Sequence, residues 1–549
     1  MAFGVLEPAT GVQPSSTYKV ESVDHAEIKI QVRVPRPSSS HLDPLNWSRL
    51  KKELLFATII LGSCFTGSLG PVLVPGFAVV AKDLDVNLTN VTLLNGSLVM
   101  ALGVSSYFSA SFSMVFGKRA VYLFTTVLLL VSCCWAAASK SYVSLLASRV
   151  FQGLGMGSFL ALAGTASMND VFFVQERGLR VGLWNLGFIA SVNLTPVISG
   201  YVISNMSWRW SFWFEAIMYG ILLVAVLICF PETSFIRHSC DVSVTETIFK
   251  EGEGKERIVA INPNAPERSR LWAYWGIGLD SVMFPDRPNL IIACIKPWYI
   301  LIHPIVAWEC VMWAVVFTWT ILVGAVASQI FTAAPFNMST VAVGNLAGIA
   351  PFLGSAIGTS VGGLLCDFCG RSLARRNSGT YEPEFRLWVM PLATVTMAIG
   401  TFGLGAAIEQ GLSPVVCGVF LAILNFAVGM GCTGIVAYTN DVAAERAGDA
   451  FGLAMVNHNI YVPSGQYPMD LTCLQVIKSA FAFGLSFVFN QYLAQVGPLK
   501  FFSTFGGVTV AVMLTHIPIY VFGKRIRAWS EHHNLFHRTG NAKHGNVFW

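Results

Sequence analysis

Apolar residues along this chain come in runs of about 20, the length a helix needs to cross a ~30 Å hydrocarbon layer. Twelve such runs occur, at approximately 53–80, 91–116, 119–138, 141–168, 179–204, 211–230, 300–330, 340–366, 386–408, 412–440, 450–495 and 501–523. A polar stretch over 231–299 separates the sixth from the seventh, which predicts six spans (53–230), a central loop and six more spans (300–525). Residues 1–52 include "VRVPRPSSSHLDPLNWSRLKK", a polar, proline-rich and charged segment that predicts a disordered tail. Residues 526–549 form a second tail. The first 52 residues hold no apolar signal-peptide core, so an unprocessed cytosolic N-terminus is expected.

Composition turns the pattern into a class. The 549 residues are 54% hydrophobic and 12% charged, with a mean hydropathy of +0.60. Soluble domains carry about twice that charged fraction, so the excess apolar surface must face lipid. The expected fold class is an all-α membrane protein, with the lipid bilayer as its surrounding and no nucleic-acid partner.

The net charge of +5 is small, and its distribution says more. Basic residues gather on one set of loops: seven before the first span, eight in the central loop, and Lys118, Arg119, Arg177, Arg180, Arg371, Arg375, Arg376, Arg386 and Arg446 between spans. The opposite loops keep Lys82, Lys140, Arg209 and Lys500. Lys/Arg-rich loops stay cytosolic, so both termini are expected in the cytosol.

The two halves share short patterns. "MNDVFFVQERGLRVGLWN" follows the fourth run and "YTNDVAAERAGDAFGL" the tenth; each has Asn-Asp-Val, then Glu-Arg, then Gly-Leu. "FGKR" after the second run parallels "CGRS" after the eighth. Repeated six-span halves with a substrate site near the midplane are the architecture of many secondary transporters.

Several of these motifs resemble those of the major facilitator superfamily, particularly its fungal twelve-span drug:proton antiporter branch. "LDPLNW" (42–47) is similar to the segment those members carry before the first span. "GGLLCDFCGR" matches the family's loop motif, with Gly363, Leu365, Asp367, Gly370 and Arg371 in register. The first-half copy keeps Gly117, Lys118 and Arg119 but has Met114 at the aspartate position. "SRVFQGLGMG" resembles the fourth-span motif through Arg149, Gln152, Gly153, Gly155 and Gly157, and "FPETSF" the exit from the sixth span. In the fifth span Gly182, Pro196 and Gly200 match the antiporter motif, whereas Ser191, Thr195 and Ser199 stand where it has glycine. The resemblance runs from 42 to about 530. It implies a major facilitator fold of twelve helices in two pseudo-repeat halves, working as a monomer by alternating access, with a proton gradient rather than a cofactor as the driving force.

Candidate residues follow. A charge within a span is costly and marks ion or substrate pathways, or else snorkels to the headgroups. The resemblance implies that Arg149 takes part in proton coupling, since a fixed cation can release a proton from a neighbouring carboxylate. Glu309, in "PIVAWECVMW", and Glu215, in "WRWSFWFEAI", are the candidate proton carriers; the alternatives are pairing on a neighbouring helix or near the cytosolic interface for Glu309, and pairing with Arg209 at the rim for Glu215. Asp170 and Asp441 at span ends are candidate gates. Gln152, Asn193, Pro196, Trp313 and Tyr438 are candidates for lining the substrate cavity. The 12 cysteines are scattered, and "CDFC" at 366–369 lacks a second ligand pair, so neither a disulfide framework nor a metal site is expected.

One segment breaks the pattern. "AMVNHNIYVPSGQYPMDLTCLQVIKSAFAFG" places polar, proline-containing residues inside the eleventh run, where irregular backbone cannot face lipid. Joining Val456 to Val476 restores an unbroken apolar span, so 457–475 reads as a retained in-frame intron, with a re-entrant loop as the alternative.

The function expected is secondary active transport of a small organic molecule, as proton-coupled efflux of a metabolite, toxin or drug. Proton-coupled import of a nutrient or polyamine, and a non-transporting sensor, are the alternatives. No nucleotide-binding motif supports an ATP-driven pump, and no nucleophile or metal constellation supports an enzyme. The plasma membrane is the expected location, with a vacuolar or vesicular membrane as the alternative.

Overall fold

The computed structural model describes residues 4–8, 14, 17–19, 43–233, 290, 294, 302–442 and 467–533. Within them, helices follow one another in the order the hydropathy predicts. The first span runs Arg49–Asp83 and is broken by a 3₁₀ stretch at Pro71–Gly76. Next come Leu88–Phe116, Lys118–Ala138, Tyr142–Ala161, Val174–Asn205 and Trp208–Cys229. The second half comprises Pro304–Thr332, Thr340–Arg376, Pro383–Glu409, Pro414–Val442, Tyr467–Ser486 and Pro498–His532. Among the described residues, ten helices are long and apolar enough to cross a membrane by length and composition. The remaining two elements, Tyr142–Ala161 and Tyr467–Ser486, carry Arg149 and Lys478.

Six spans in each half return its chain ends to the side they started from, here the terminal face. Outward stripes are apolar: Phe124, Val127, Val131 and Trp135, three or four residues apart on the third span, are all exposed. Tyr122, Leu129 and Cys133 on its other side are buried in the first half's core. An apolar outside around a mixed inside is what a lipid solvent selects. Each half has its own core, around Tyr122, Phe159 and Tyr219 in one and Trp319, Met390 and Phe502 in the other.

Glycines set the closest helix approaches. On the eighth span Gly354 and Gly358 would each place a Cβ within 2.2 Å of the carbonyl oxygens of Ala422 and Phe426 on the tenth. The halves join in the same way. A Cβ at Gly344 would lie 2.4 Å from Pro196 O, and one at Gly348 2.8 Å from Asn193 O, so the eighth span seats on the fifth through bare backbone. Gly96 and Gly103 of the second span meet Ser486 and Ser479 of the eleventh. Asn490 Nδ2 donates to Thr92 Oγ1, again across the halves. Thr92, Gly96, Gly344, Gly348 and Ser486 lie toward the span ends opposite the terminal face, whereas Gly103 and Ser479 sit mid-span.

One expectation is corrected. The N-terminal tail is not wholly detached: Tyr18–Lys19 pairs antiparallel with Thr380–Tyr381, Leu6 N donates to Val521 O at 3.0 Å, and Val5 is buried beside Phe385. Residues 467–475 of the suspected insert are helical and open the eleventh span. Residues 457–466 and the preceding 450–456, the central loop over 234–289, Arg446 and the C-terminal tail beyond 533 lie outside the described residues.

Candidate functional site

Arg149 is fully buried, so the snorkelling alternative fails. Gly153 and Gly157 follow it on one helix face; a Cβ at either would come within 2.4 Å of the second-span backbone, at Leu98 O and Ser105 C. Gly155 turns the other way, toward Leu129 and Thr125 O of the third span. The glycines therefore bring three helices together around a cation that has left water.

That cation is satisfied by backbone. The first span stops being α-helical at Gly70–Pro71, and the last carbonyls of a helix have no partner within it. Arg149 Nη1 donates to Leu69 O at 3.0 Å and Nη2 to Gly70 O at 3.4 Å. Nη1 also donates to Gln152 Oε1 at 2.9 Å, Nη2 reaches Asn95 Oδ1 at 3.5 Å, and the guanidinium stands over the Phe212 ring at 5.6 Å. Gln152 Nε2 in turn donates to Ser132 O at 3.3 Å. Gln152, a candidate cavity residue in the sequence, is thus a buried brace for the arginine.

The structure separates the two candidate carboxylates. Glu215 is buried on the sixth span within electrostatic range of Arg149. It accepts a hydrogen bond from Ser68 Oγ on the first span. Its Oε2 is buried with no hydrogen-bond partner among the described residues. The rim alternative is excluded, because Arg209 bonds Asp83 at 2.9 Å instead, and Trp208 Nε1 donates to the same carboxylate at 3.0 Å. Glu309 lies in the other half, fully buried in the second turn of the seventh span. Its neighbour Trp308 donates to Thr515 Oγ1 at 2.7 Å and meets Tyr438 edge-on at 6.2 Å.

The remaining cavity candidates divide. Tyr438 is fully buried and packs against Trp308 and Gly523 inside the second half. Asn193 bonds back to Ile189 O at 2.9 Å, and its own carbonyl, like that of Pro196, is the seat for the eighth span. These three hold helices together. Trp313 is different: its ring lies 5.9 Å from the Lys478 ammonium.

On the terminal face each half closes a cation–carboxylate pair. Lys118, opening the third span, pairs with Asp170. Gly117 precedes it with φ of 89°, a conformation that favours glycine. Glu232, just past the sixth span, accepts from the backbone N–H of Lys118 at 3.1 Å and of Arg119 at 3.0 Å, capping the third helix. Arg119 Nη2 donates to Leu227 O at 3.1 Å. In the second half Asp441 pairs with Arg386 and accepts from the Tyr381 hydroxyl. Arg386 Nη1 also reaches Asp367 at 3.2 Å. Burial and the neighbouring Asp441 push the Tyr381 phenol far above its usual range, so it remains a donor.

Here the motif register misleads. Arg371 aligns with Lys118, yet it is exposed and its Nε donates to its own helix at Asp367 O, 3.1 Å away. Arg386 lies at the start of the ninth span, the position in its half that Lys118 holds in the other, and it takes the role instead. Gly370 is tight against the Tyr381 ring, whereas a Cβ at Gly363 would meet nothing within 4 Å. The sequence reading also missed Arg527, buried between Glu382 at 2.9 Å and Glu384 at 2.7 Å, and Lys524, which bonds Glu382 at 2.7 Å and Glu7 at 2.8 Å. The only signal for these was clustering of like and unlike charges around 382–386 and 524–527.

Comparison with known proteins agrees with this architecture. The family model described as Major Facilitator Superfamily matches residues 54–465. An uncharacterized MFS-type transporter of Schizosaccharomyces pombe is 24% identical over 534 residues, covering 90% of this chain and 88% of its own length. The MFS antiporter QDR3 of Candida albicans is 29% identical over 204 residues, 37% of this chain and 29% of its own. Among solved structures, the xylose transporter XylE from E. coli, in a partially occluded inward-open conformation, superposes with a TM-score of 0.57 at 13% identity, covering 85% of this chain and 99% of that one. Two halves of apolar helices, a buried cation braced by the broken first span and a family match over most of the chain identify it as a membrane transporter, not an enzyme, of the Major Facilitator Superfamily.

Proposed function

We propose that this transporter exports a small organic molecule in exchange for protons, as a monomer in the plasma membrane with both termini in the cytosol. The observation that carries the reading is the burial of Glu215 on the sixth span within electrostatic range of the fully buried Arg149. One carboxylate oxygen is held by Ser68, and the other is buried without a hydrogen-bond partner among the described residues. A carboxyl so placed can take up a proton from one side. A small shift of the guanidinium toward it favours the charged form and releases that proton. No resident cofactor is needed, because the proton gradient supplies the work.

The direction is supported by the name of the Candida relative, an antiporter, and by the partial antiporter motif of the fifth span. The contacts between halves on the side away from the chain ends give alternating access its moving part: they must part when that side opens. The test is an untargeted comparison of medium and cell extract from strains with and without the gene. A compound trapped inside the deletion strain and depleted from its medium is the expected result. A nutrient left unconsumed in the medium would make the protein an importer.

A further inference from the structure

Lys478 is, after Arg149, the second basic residue deep inside a span, and nothing in the coupling machinery uses it. It lies eleven residues into the eleventh helix, Tyr467–Ser486, or about 17 Å along its axis and so near the middle of a ~30 Å layer. The side chain is 5% exposed. Its ammonium stands 3.7 Å from the Phe317 ring and 5.9 Å from the Trp313 ring, both on the seventh span. Among the described residues no carboxylate pairs with it; the two rings face it from the seventh span, and the Cys432 thiol of the tenth span is within electrostatic range. Aromatic faces offset only part of the cost of desolvating an ammonium.

A second donor stands beside it. The indole Nε1–H of Trp313 is buried and has no hydrogen-bond acceptor among the described residues. An ammonium and an indole side chain therefore lie 5.9 Å apart on facing helices, and among the described residues no acceptor satisfies the indole N–H. Buried donors are almost always satisfied, and a charge-assisted bond to an anion is the strongest way to satisfy both. The place suits a cargo: Ser479, the next residue, packs against Gly103 of the first half, so Lys478 lies beside the seam between the halves.

We propose that Lys478 and Trp313 form an anion-binding site that takes the carboxylate of an organic acid, with the Phe317 ring covering its apolar part. This names the substrate class and rests on the reading of the chain as a transporter of small organic molecules. The ammonium supplies charge, the indole N–H fixes the orientation of one oxygen, and the aromatic faces favour a flat or unsaturated acid over a small hydrated one.

The test uses the purified full-length protein in detergent, its unfolding midpoint read with benzoate, salicylate and indole-3-acetate, each beside its uncharged amide, and with tryptamine. At least one acid is expected to raise the midpoint while its amide and tryptamine do not. Lys478→Gln should weaken that acid's apparent affinity by roughly tenfold or more, Lys478→Arg should retain it, and Trp313→Phe, which keeps the ring and deletes the N–H, should weaken it less. Lys82→Gln, at the edge of the first span, serves as the unaffected control. Equal stabilisation by amides or by tryptamine, persistence of the acid effect in Lys478→Gln, or no response to any acid would overturn the assignment. The metabolite comparison separates the two readings: an amine or neutral compound retained by deletion cells would leave the transporter standing and remove the anion site.

Discussion

Arg149 on the fourth span donates to the carbonyl of Leu69, 80 residues earlier, at the point where the first span ceases to be an α-helix. The bond ties the charged centre of the first half to a break in its own wall. Any rearrangement of the first span is therefore felt at the cation, and any change of charge beside the cation is felt by the span.

The first prediction concerns that bond. A lysine at 149 keeps the charge but cannot span two carbonyls and Gln152 together. Arg149→Lys should lower transport at least tenfold with normal amounts of protein in the membrane, whereas Arg149→Ala should also destabilise by roughly 2–4 kcal/mol, because it strips buried acceptors of their donor. Transport rates and melting curves of the two variants separate these effects. Full activity in Arg149→Lys would show that charge alone matters.

Glu215→Gln mimics the protonated carboxyl permanently. Export driven by an imposed pH gradient should disappear, while exchange of labelled substrate across vesicles without a gradient should persist. Ser68→Ala, which removes the hydrogen bond from Ser68 to the carboxylate, should shift the pH dependence of transport without abolishing it. Unchanged gradient dependence in Glu215→Gln would move the coupling role elsewhere, with Glu309 the next carboxylate to replace.

The gates give a comparison that motif reading would reverse. Arg386→Ala should impair transport strongly and lower stability by about 1–3 kcal/mol, since it leaves the half-buried Asp441 without its cation. Arg371→Ala, in the recognisable motif but exposed, should change little. Exchanging the charges in Arg386→Asp with Asp441→Arg should recover part of the loss. Equal damage from both alanine variants would refute the structural assignment.

The docked N-terminus yields a fourth test. Removing residues 1–19 deletes Glu7 from Lys524 and Thr17 from Glu382, along with the short strand pair at Tyr381. Because Tyr381 also bonds Asp441, the truncation should lower the melting point and loosen the second-half gate together. A Glu7→Gln variant should give a smaller shift of the same sign.

The segment at 457–475 is best tested on the transcript. If these residues are a retained intron, most messages will join Val456 to Val476, and the shorter protein will transport. Its eleventh span would then begin with "AFGLAMV" rather than with the helical turns from Tyr467. A message that reads through, with an active product, would make the longer helix the native one.

What the sequence by itself determined is the scaffold. Hydrocarbon thickness fixes the length of each apolar run, and the absence of water there forces helices, so the spans and the two halves can be counted from residue order alone. Arg149 stood out for the same reason, as a charge where charge is costly. Which groups meet was decided only in three dimensions. Glu215 rather than Glu309 stands near Arg149, Arg386 replaces the motif's Arg371, and Trp313 meets Lys478 across 165 positions of chain. Those meetings depend on the rotation of each helix about its axis and on glycines that let backbones touch. Composition is nearly blind to both, because a span rotated by half a turn has the same residues and the same hydropathy.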